Sequence, residues 1–525
     1  MENENNVQAI EQTSEKKVGK LDKFFGVTKA GSTIRTEIVA GIVTFLAMAY
    51  ILTVNPNQFF YAGTADTRWT SVFMATAFGA IIGTLLMAFL AKLPLAQASG
   101  MGLNSMVGTI IGGGVGAFST YVFEFTLANA MLMVLISGIV FLLLSVISIK
   151  GVSLRQKIFE GIPAGIKTAI PVGIGLFIAY IGMQNAGFIV TNNFTQVGII
   201  KFSYWGQQIV NNGTVIDNVI VNPTTTTPAT AVVMLIGLIS IAILSHLKVK
   251  GAVIIGILIA TIVGIPFGVT NLGVVAGEVD GITWKFWENF ETFFTSEVFL
   301  APFKGGWEFP EGSLFTIIMI IISMSMIDMF DTMGTCVGCC SAAGLLDENG
   351  TPINYGKIMY ADSIATCAGA IFGTSTVTTF VESGSGIAEG GKTGLTALST
   401  AIMFFLAIFA LPVFAMIPSA ATASALVYVG VLMMKNIKNI DFSDIRVAVP
   451  AFLAIALMPL AYSITTGIGM AILSYVVISI FCFIFDAIKY ACTKKEEHKP
   501  VWSVSIVTII IALLFCVYFF VPVAI

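Results

Sequence analysis

Apolar residues occur along this 525-residue chain in runs of about 20, the length needed to cross the hydrocarbon core of a bilayer. The runs lack the amphipathic stripe of a helix that packs on a soluble core. We predict about fourteen membrane spans, at residues 37–54, 71–91, 100–118, 127–149, 166–187, 229–245, 252–272, 313–340, 358–373, 374–391, 395–415, 420–434, 447–463 and 467–487. A further run at 502–525 either crosses the membrane or lies at its interface.

Composition supports a location in lipid. Hydrophobic residues make up 56% of the chain and charged residues only 10%, against roughly 25% in an average soluble domain. The net charge of −3 is too small to favour nucleic acid as a partner. The polar stretch at 1–19 lacks the apolar region of a cleavable signal.

Lysine and arginine are concentrated in alternate connections, which predicts that these face the cytoplasm. The basic stretches are residues 16–35, 150–157, 248–250, 435–446 and 489–499. The connections at 188–227 and 273–311, rich in Asn and Thr or in Glu, Trp and Phe, suit the outer side. We therefore predict a multi-pass protein of the plasma membrane, the cell inner membrane, with its N-terminus in the cytoplasm.

The stretch GIAEGGKT at 386–393 fits the G-x-x-x-x-G-K-[ST] pattern of a phosphate-binding loop. A phosphate loop needs a strand before it and a helix after it in an α/β domain, whereas this stretch has apolar spans on both sides. We interpret it as part of a broken transmembrane helix, with Lys392 extending to the cytoplasmic interface.

Two glycine-rich segments resemble each other, ASGMGLN at 98–104 and ESGSGIA at 382–388. Both contain S-G-x-G, and two halves of seven spans each would have opposite orientations. Inverted repeats with discontinuous helices are typical of secondary transporters, which bind their substrate near the midplane. Backbone N–H groups freed at such breaks are then available to a ligand.

Three acidic residues stand inside apolar spans, Asp328, Asp331 and Glu382. A carboxylate deep in the bilayer costs at least about 3 kcal/mol, and the sequence suggests no Lys or Arg at the same depth. We expect the acids to face a cavity and to bind substrate; helix capping or a structural hydrogen bond is the alternative. Asp328 and Asp331 lie one turn apart and disfavour each other's ionisation, so we expect them to exchange a proton, with Na⁺ coupling less favoured.

Other polar residues carry weaker expectations. Asn104 follows the first glycine break, and its amide is predicted to contact the ligand or a gate. We expect Arg35 and Glu37 to mark the membrane interface, and Asp362 to cap its helix. The remaining residues considered are Glu389, placed at the cytoplasmic edge of the broken stretch, and Cys336, Cys339 and Cys340, interpreted as apolar packing and not as a metal site.

Taken together, several motifs resemble the purine permeases of the nucleobase–cation symporter superfamily, in the branch that carries hypoxanthine, guanine and adenine. They are RTEIVAGIVTFLAMAYILTVNP at 35–56, GMGLN at 100–104, DMFDTMGT at 328–335, ES at 382–383 followed by AEGGKTGLT at 388–396, and MPLAYS at 458–463. The resemblance extends over nearly all of the chain from about residue 21 to residue 487.

This resemblance implies an all-α polytopic membrane protein of fourteen spans in two inverted seven-span repeats, with short antiparallel strands in spans three and ten. It also implies a core domain that carries the base past a gate domain in an elevator-like step. The implied parts are a cytoplasmic segment at 1–35, core parts at 36–149 and 312–416, gate parts at 150–272 and 417–488, an extracellular loop at 273–311, and a basic loop with an apolar segment at 489–525. A homodimer is expected from the family.

In such permeases, the acids that match Asp328 and Glu382 bind the base, and Asp331 and Asn104 support binding or proton coupling. Guanine presents N–H donors that suit two carboxylate oxygens. We expect backbone N–H groups at the Ser99 and Ser383 breaks to bind the oxo group or ring nitrogens. The aromatic rings Phe330 and Phe380 are candidates to stack on the base, with packing as the alternative.

Other classes fit less well. An anion exchanger of the same inverted-repeat design would need a cationic pocket, and a channel would need a continuous polar pore. A membrane enzyme or ATP-driven pump would need a nucleophile with its base, a metal cluster or a nucleotide domain. We therefore expect a proton-coupled purine symporter in contact with membrane lipid, without enzymatic activity, cofactor or metal.

Overall fold

The structure is a computed structural model. It describes residues 19–60, 64, 66–111, 123–149, 152–192, 196–202, 215–216, 219–220, 228–249, 251–276, 282–347, 352–493, 500–502 and 504–520.

Within these residues, eight helices are long and apolar enough to cross a membrane: Ile34–Phe59, Trp69–Ala91, Leu127–Val146, Ala164–Asn185, Pro228–His246, Leu314–Cys340, Ser419–Asn439 and Ile464–Cys492. Four shorter apolar helices are Ala252–Gly264, Gly394–Ile408, Ile445–Leu460 and Ile506–Val517. The prediction of a polytopic helical membrane protein is confirmed. The count of fourteen spans stays a prediction.

The helices of the first half are α1 (Lys20–Phe25), α2 (Ile34–Met48), α3 (Ile51–Phe59), α4 (Trp69–Leu86), α5 (Met101–Ile110), α6 (Leu127–Val146), α7 (Leu154–Gly161), α8 (Ala164–Asn185), α9 (Pro228–His246) and α10 (Ala252–Gly264). A π-helical turn, Met87–Ala91, extends α4. Those of the second half are α11 (Gly273–Ala276), α12 (Phe286–Thr295), α13 (Leu314–Ala343), α14 (Tyr355–Phe372), α15 (Ser383–Ala388), α16 (Gly394–Ile408), α17 (Leu411–Ala415), α18 (Ser419–Met434), α19 (Ile445–Leu460), α20 (Ile464–Thr493) and α21 (Ile506–Phe520).

The described part of the chain also contains eight short strands: β1 (Gln97–Ser99), β2 (Ser148–Ile149), β3 (Val152–Ser153), β4 (Ile189–Asn192), β5 (Gln196–Ile199), β6 (Val215–Ile216), β7 (Val219–Ile220) and β8 (Val377–Thr379). Strands β4 to β7 form a sheet in the order β5-β4-β7-β6, and β2 pairs with β3. The expectation of short antiparallel strands in spans three and ten matches β1, just before residue 100, and β8. Strands β2 to β7 were not expected; alternating Val, Ile and Thr residues pair outside the spans as well.

The centre of the fold is the antiparallel pair of β1 with β8, in which Gln97 lies opposite Thr379 and Ser99 opposite Val377. Both strands are completely buried, and we refer to this antiparallel pair, β1 with β8, as the crossed strands. Helix α14 is followed by Gly373, whose φ of 97° favours glycine, and the β-branched residues after it suit an extended backbone. The predicted broken stretch 374–391 is thus a strand followed by the short helix α15.

The two S-G-x-G motifs do not stand in equivalent places. Ser99 is the last residue of β1, whereas Ser383 is the first residue of α15, some residues beyond the end of β8. The two similar segments therefore do not mark equivalent positions in the two halves of the chain. The inverted repeat stays a prediction.

The helices pack in two groups. Helices α4, α13 and α14 contact the crossed strands, and α2, α6 and α16 pack around these helices. Helices α8 to α10 and α18 to α20 pack on one another. Helices α8 and α18, which begin after Pro163 and Pro418, approach closely at Gly430, where an added Cβ would lie 2.5 Å from the carbonyl oxygen of Gly175. The predicted domain boundaries, which follow a similar division, stay a prediction.

Candidate functional site

Polar side chains converge where β1 pairs with β8. The Ser99 hydroxyl is hydrogen-bonded to that of Thr374, and Asn55 Nδ2 donates to Thr374 Oγ1 over 2.8 Å and to Thr76 Oγ1 over 2.7 Å. All of these side chains are buried. The two breaks in the helices are therefore joined by a polar network and not by apolar packing alone.

Asn104 connects the same two segments. Its Oδ1 accepts a hydrogen bond from the Ser375 hydroxyl, and its Nδ2 donates to the Ser99 carbonyl oxygen over 3.4 Å. The side chain is completely buried. The structure thus places Asn104 as a link between the breaks, and its predicted contact with a ligand stays a prediction.

The backbone N–H groups at the breaks are already bonded within the protein. The amide of Gly100 donates to the Thr376 carbonyl, and the amide of Ser383 donates to the Phe380 carbonyl. The Ser383 hydroxyl accepts from the amide of Ala96 over 3.0 Å. The expectation that the amides of Gly100 and Ser383 are free for a ligand was wrong, because strand pairing and the first turn of α15 use them.

Glu382, just before α15, points into this polar centre. Its Oε1 accepts a 2.6 Å hydrogen bond from the hydroxyl of Tyr50, on the α2–α3 junction. Its Oε2 is buried and has no hydrogen-bond partner among the described residues. Sequence reasoning missed Tyr50, although a tyrosine inside the first apolar run was a usable signal, since a buried hydroxyl seeks a polar partner.

Asp331 lies near Glu382 and Tyr50, and interacts electrostatically with both. Its Oδ2 accepts from the Thr378 hydroxyl over 3.4 Å, and the residue is half-buried. Tyr50, Asp331 and Glu382 come from three different segments of the chain. We refer to these three residues as the acid group.

Asp328, one turn from Asp331 on α13, lies deeper. It is completely buried, and its Oδ2 accepts from Thr366 Oγ1 over 3.4 Å. Its Oδ1 has no partner within the described part of the chain. In the same residues, Asp328, Asp331 and Glu382 form no ion pair with a basic side chain.

The two aromatic candidates differ in what the structure describes. Phe380 is buried directly after β8, and its amide donates to the Ala96 carbonyl over 3.0 Å. The side chain of Phe330 lies outside the described residues. Stacking of either ring on a substrate stays a prediction.

Two expectations about charge were wrong. Arg155, expected in a cytoplasmic loop, and Asp362, expected to cap a helix, form a completely buried ion pair with Nη2 and Oδ2 2.7 Å apart. A basic side chain is therefore buried inside the protein, but it is paired with an acid outside the predicted set, Asp362. Hydropathy did not indicate that Arg155 is buried, because this residue follows a short polar hairpin, β2–β3.

Glu37 is likewise buried within the protein, and its expected place at the membrane interface stays a prediction. Its carboxylate accepts hydrogen bonds from the amides of Lys392 and Thr393, over 3.0 Å and 3.2 Å, and from the hydroxyls of Thr393 and Thr396, over 2.9 Å and 2.6 Å. The GGKT segment thus binds an anion, as its sequence pattern suggests, but the anion is a side chain of the same protein. Lys392 itself is half-buried.

The cysteine cluster packs beside the crossed strands. Cys336 Sγ lies 3.5 Å from Thr379 Oγ1, and Cys339 Sγ lies 3.8 Å from the Val381 carbonyl oxygen. Among the described residues, no three His, Cys, Asp or Glu side chains are grouped to hold a metal ion.

Comparison with known proteins fits this arrangement. The chain matches the sequence profile of the Permease family (Xan_ur_permease) over residues 35–209 and 206–472. It is 34% identical to the guanine/hypoxanthine permease PbuG of Bacillus subtilis (strain 168) over 501 residues, 93% of this chain and 99% of that one. It is 33% identical to the adenine permease AdeQ of Escherichia coli (strain K12) over 466 residues, 88% of this chain and 91% of that one.

Among solved structures, the transmembrane domain of the cyanobacterial bicarbonate transporter BicA superposes with a TM-score of 0.57. The alignment covers 83% of this chain and 97% of that domain, at 16% sequence identity. This similarity shows a shared fold. With crossed strands at the centre of a helical membrane protein, and a sequence profile that matches most of its length, the chain belongs to the Permease family.

Proposed function

We propose that this protein is a secondary active transporter that imports purine nucleobases across the cell membrane by proton symport. Guanine and hypoxanthine are the first candidates, followed by adenine. The observation that carries the proposal is the pair of buried carboxylate oxygens without a partner in the described chain, Glu382 Oε2 and Asp328 Oδ1. A buried anionic oxygen that the protein leaves unbonded is suited to a ligand's N–H group.

The chemistry of an oxopurine suits this arrangement. Guanine carries a ring N–H and an exocyclic amine on one edge, and a charge-assisted hydrogen bond to a carboxylate is roughly twice as strong as a neutral one. Tyr50 restrains one oxygen of Glu382 and leaves the other for the base. Phe380, beside the crossing, is the aromatic candidate for stacking on the ring.

The relatives support the same substrate class. PbuG is a guanine/hypoxanthine permease and AdeQ an adenine permease, and both align with most of this chain. BicA transports bicarbonate on a similar fold, which makes anion exchange the main alternative. Acidic side chains at the centre disfavour an anion as cargo, because like charges repel in a site of low dielectric.

Proton coupling is proposed from the acids that lack a basic partner among the described residues. Asp331 is half-buried and held by one long hydrogen bond, so it is the carboxyl best placed to gain and lose a proton. We propose that Asp328 and Glu382 take part in proton coupling together with Asp331. We also propose that the helices around the strands move in an elevator-like step against the α8–α10 and α18–α20 group. The same proposal places the N-terminus in the cytoplasm and pairs two copies of the protein as a homodimer.

The test is uptake of radiolabelled hypoxanthine by cells that lack their own purine transporters. Unlabelled guanine, hypoxanthine and adenine should compete, whereas uracil and bicarbonate should not. A protonophore should abolish accumulation while exchange of internal for external purine continues. Competition by bicarbonate but not by purines would overturn the substrate, and accumulation that survives the protonophore but needs sodium would overturn the coupling ion.

A further inference from the structure

The ion pair between Arg155 and Asp362 joins α7 to α14 at the level of the crossed strands. Both side chains are completely buried, and Arg155 Nη2 lies 2.7 Å from Asp362 Oδ2. The guanidinium also lies 4.1 Å from the centre of the Phe141 ring and donates to the Ser363 hydroxyl over 3.4 Å. The side chain of Arg155 therefore packs on helices α6 and α14, although the residue belongs to α7, the helix that connects α6 to α8.

The other oxygen of Asp362 is shared by two donors. Thr332 Oγ1 donates to Asp362 Oδ1 over 2.6 Å, and Gln97 Nε2 donates to the same oxygen over 3.3 Å. Thr332 follows Asp331 directly on α13, and Gln97 is the first residue of β1. One carboxylate thus holds both the helix that carries the binding acids and one of the crossed strands.

The second strand is attached to the same group. Gln97 Nε2 lies 3.3 Å from Thr379 Oγ1, and the amide of Thr379 donates to Thr332 Oγ1 over 3.4 Å. Thr366, one helical turn after Asp362 on α14, donates to Asp328. Asp362, Thr332, Gln97 and Thr379 form a closed set of hydrogen bonds, which we call the Asp362 hub.

The hub depends on Asp362 being ionised, since a neutral carboxyl is a weaker acceptor for two donors. A buried carboxylate near two other acids, Asp328 and Asp331, is unfavourable unless a cation compensates it. Arg155 is the side chain that supplies this charge, and its flat guanidinium stacks on Phe141 in a way that a lysine ammonium does not reproduce.

We propose that Arg155 is a positioning residue for purine binding, which acts through the Asp362 hub to fix the crossed strands and the α13 acids in the geometry that the base requires. The inference rests on the proposed function. Arg155, on the connecting helix α7, thereby has a role in the affinity for the purine, although its side chain contacts none of the acid group directly.

The experiment compares Arg155→Met, Arg155→Lys and Thr332→Val in hypoxanthine uptake, with KM and Vmax normalised to folded transporter. Thr332→Val removes the hub's link to α13 without leaving a buried charge, so it remains informative if Arg155→Met fails to fold. The matched control is Arg446→Met, which breaks a partly exposed ion pair of nearly the same length, 2.8 Å to Asp444.

We expect Arg155→Met and Thr332→Val to raise KM at least about tenfold, with a smaller change in Vmax. Arg155→Lys should recover part of the loss, because it keeps the charge, and Arg446→Met should stay within about twofold of the wild type. Values of KM within about twofold of the wild type for both Arg155→Met and Thr332→Val would overturn the proposal, because a purely structural pair would change the amount of folded protein and not KM.

A readout independent of cargo separates this proposal from the proposed function. Cys336 is buried against Thr379, a member of the hub, so its labelling by N-ethylmaleimide reports on the position of the strand. If wild-type protein transports no purine, the proposed function fails, and the hub is then judged by labelling alone. Faster labelling of Cys336 in Thr332→Val and Arg155→Met supports the positioning role, and unchanged labelling in both overturns it.

Discussion

The hydroxyl of Tyr50 lies 2.6 Å from Oε1 of Glu382, across 332 positions of sequence. The bond leaves one carboxylate oxygen restrained and the other without a partner in the described chain. A tyrosine of the first apolar run therefore orients an acid of the tenth, at the place where we propose that the base binds.

Replacing Tyr50 with Phe should weaken purine binding without preventing it. A hydrogen bond to a charged group is worth about 1.5–3 kcal/mol, so KM for hypoxanthine should rise about tenfold or more. Tyr428→Phe, at a half-buried position on α18, is the control and should leave KM unchanged. An unaltered KM in Tyr50→Phe would show that Glu382 needs no orientation by the hydroxyl.

Glu382→Gln and Asp328→Asn should each abolish uptake while the protein remains folded in the membrane. Each change replaces a carboxylate oxygen by an amide that presents donors toward the donors of the base. The measurement is initial uptake of radiolabelled hypoxanthine per surface-expressed transporter. Normal uptake by either variant would remove that residue from the proposed site.

Asp331→Asn should separate cargo binding from proton coupling. The variant keeps the size of the side chain but cannot exchange a proton, so exchange of internal for external purine should continue while accumulation driven by a pH gradient is lost. The comparison is made in proteoliposomes with and without an imposed gradient. Undiminished gradient-driven accumulation would exclude Asp331 from the coupling step.

Glu37→Gln should destabilise the protein, because the amide cannot accept all four bonds that the carboxylate receives from the 392–396 segment. We expect a loss of about 2 kcal/mol, seen as a lower melting temperature of the purified protein in detergent. Glu291→Gln, an exposed change on α12, serves as the reference and should melt like the wild type.

The same contact predicts how the protein responds to nucleotide. Glu37 occupies the amides that a phosphate group would need, so Mg²⁺ with ATP should not raise the melting temperature of the wild type. A nucleotide-dependent rise would reopen the phosphate-loop interpretation of residues 386–393.

Sequence reasoning found the acids because a carboxylate in an apolar run is exceptional. Asp328, Asp331 and Glu382 stand out against their neighbours, and the structure brings Asp331 and Glu382 together with Asp328 one turn behind. Hydropathy also located most of the long helices, although their ends shifted and span 100–118 became the shorter helix Met101–Ile110. Residues 112–118 of that span lie outside the described residues.

What the sequence could not provide were partners distant along the chain. Arg155 looked like a loop residue because the residues around it are polar, and only the packing of α7 against α6 brings its side chain to Asp362, 207 positions away. The partners of Glu37 could not be read from the sequence because its donors lie more than 350 positions further on. Hydropathy describes each segment separately, and the pairing of charges is decided by tertiary contacts.

Helix α7 is fastened at both of its ends. Arg155 secures it to α14, and the carbonyl oxygen of Gly161 accepts hydrogen bonds from the hydroxyls of Ser505 and Thr508, over 2.7 Å and 2.8 Å. Those two residues belong to the C-terminal segment, whose Phe515 packs near Gly469 of α20. Helix α7 is thus tied to α14 near its start and, through the C-terminal segment and α20, to the other helix group at its end. If the two helix groups slide past each other during a transport cycle, the hinge therefore lies within α7, between Arg155 and Gly161, and the C-terminal segment fixes the far end of that hinge.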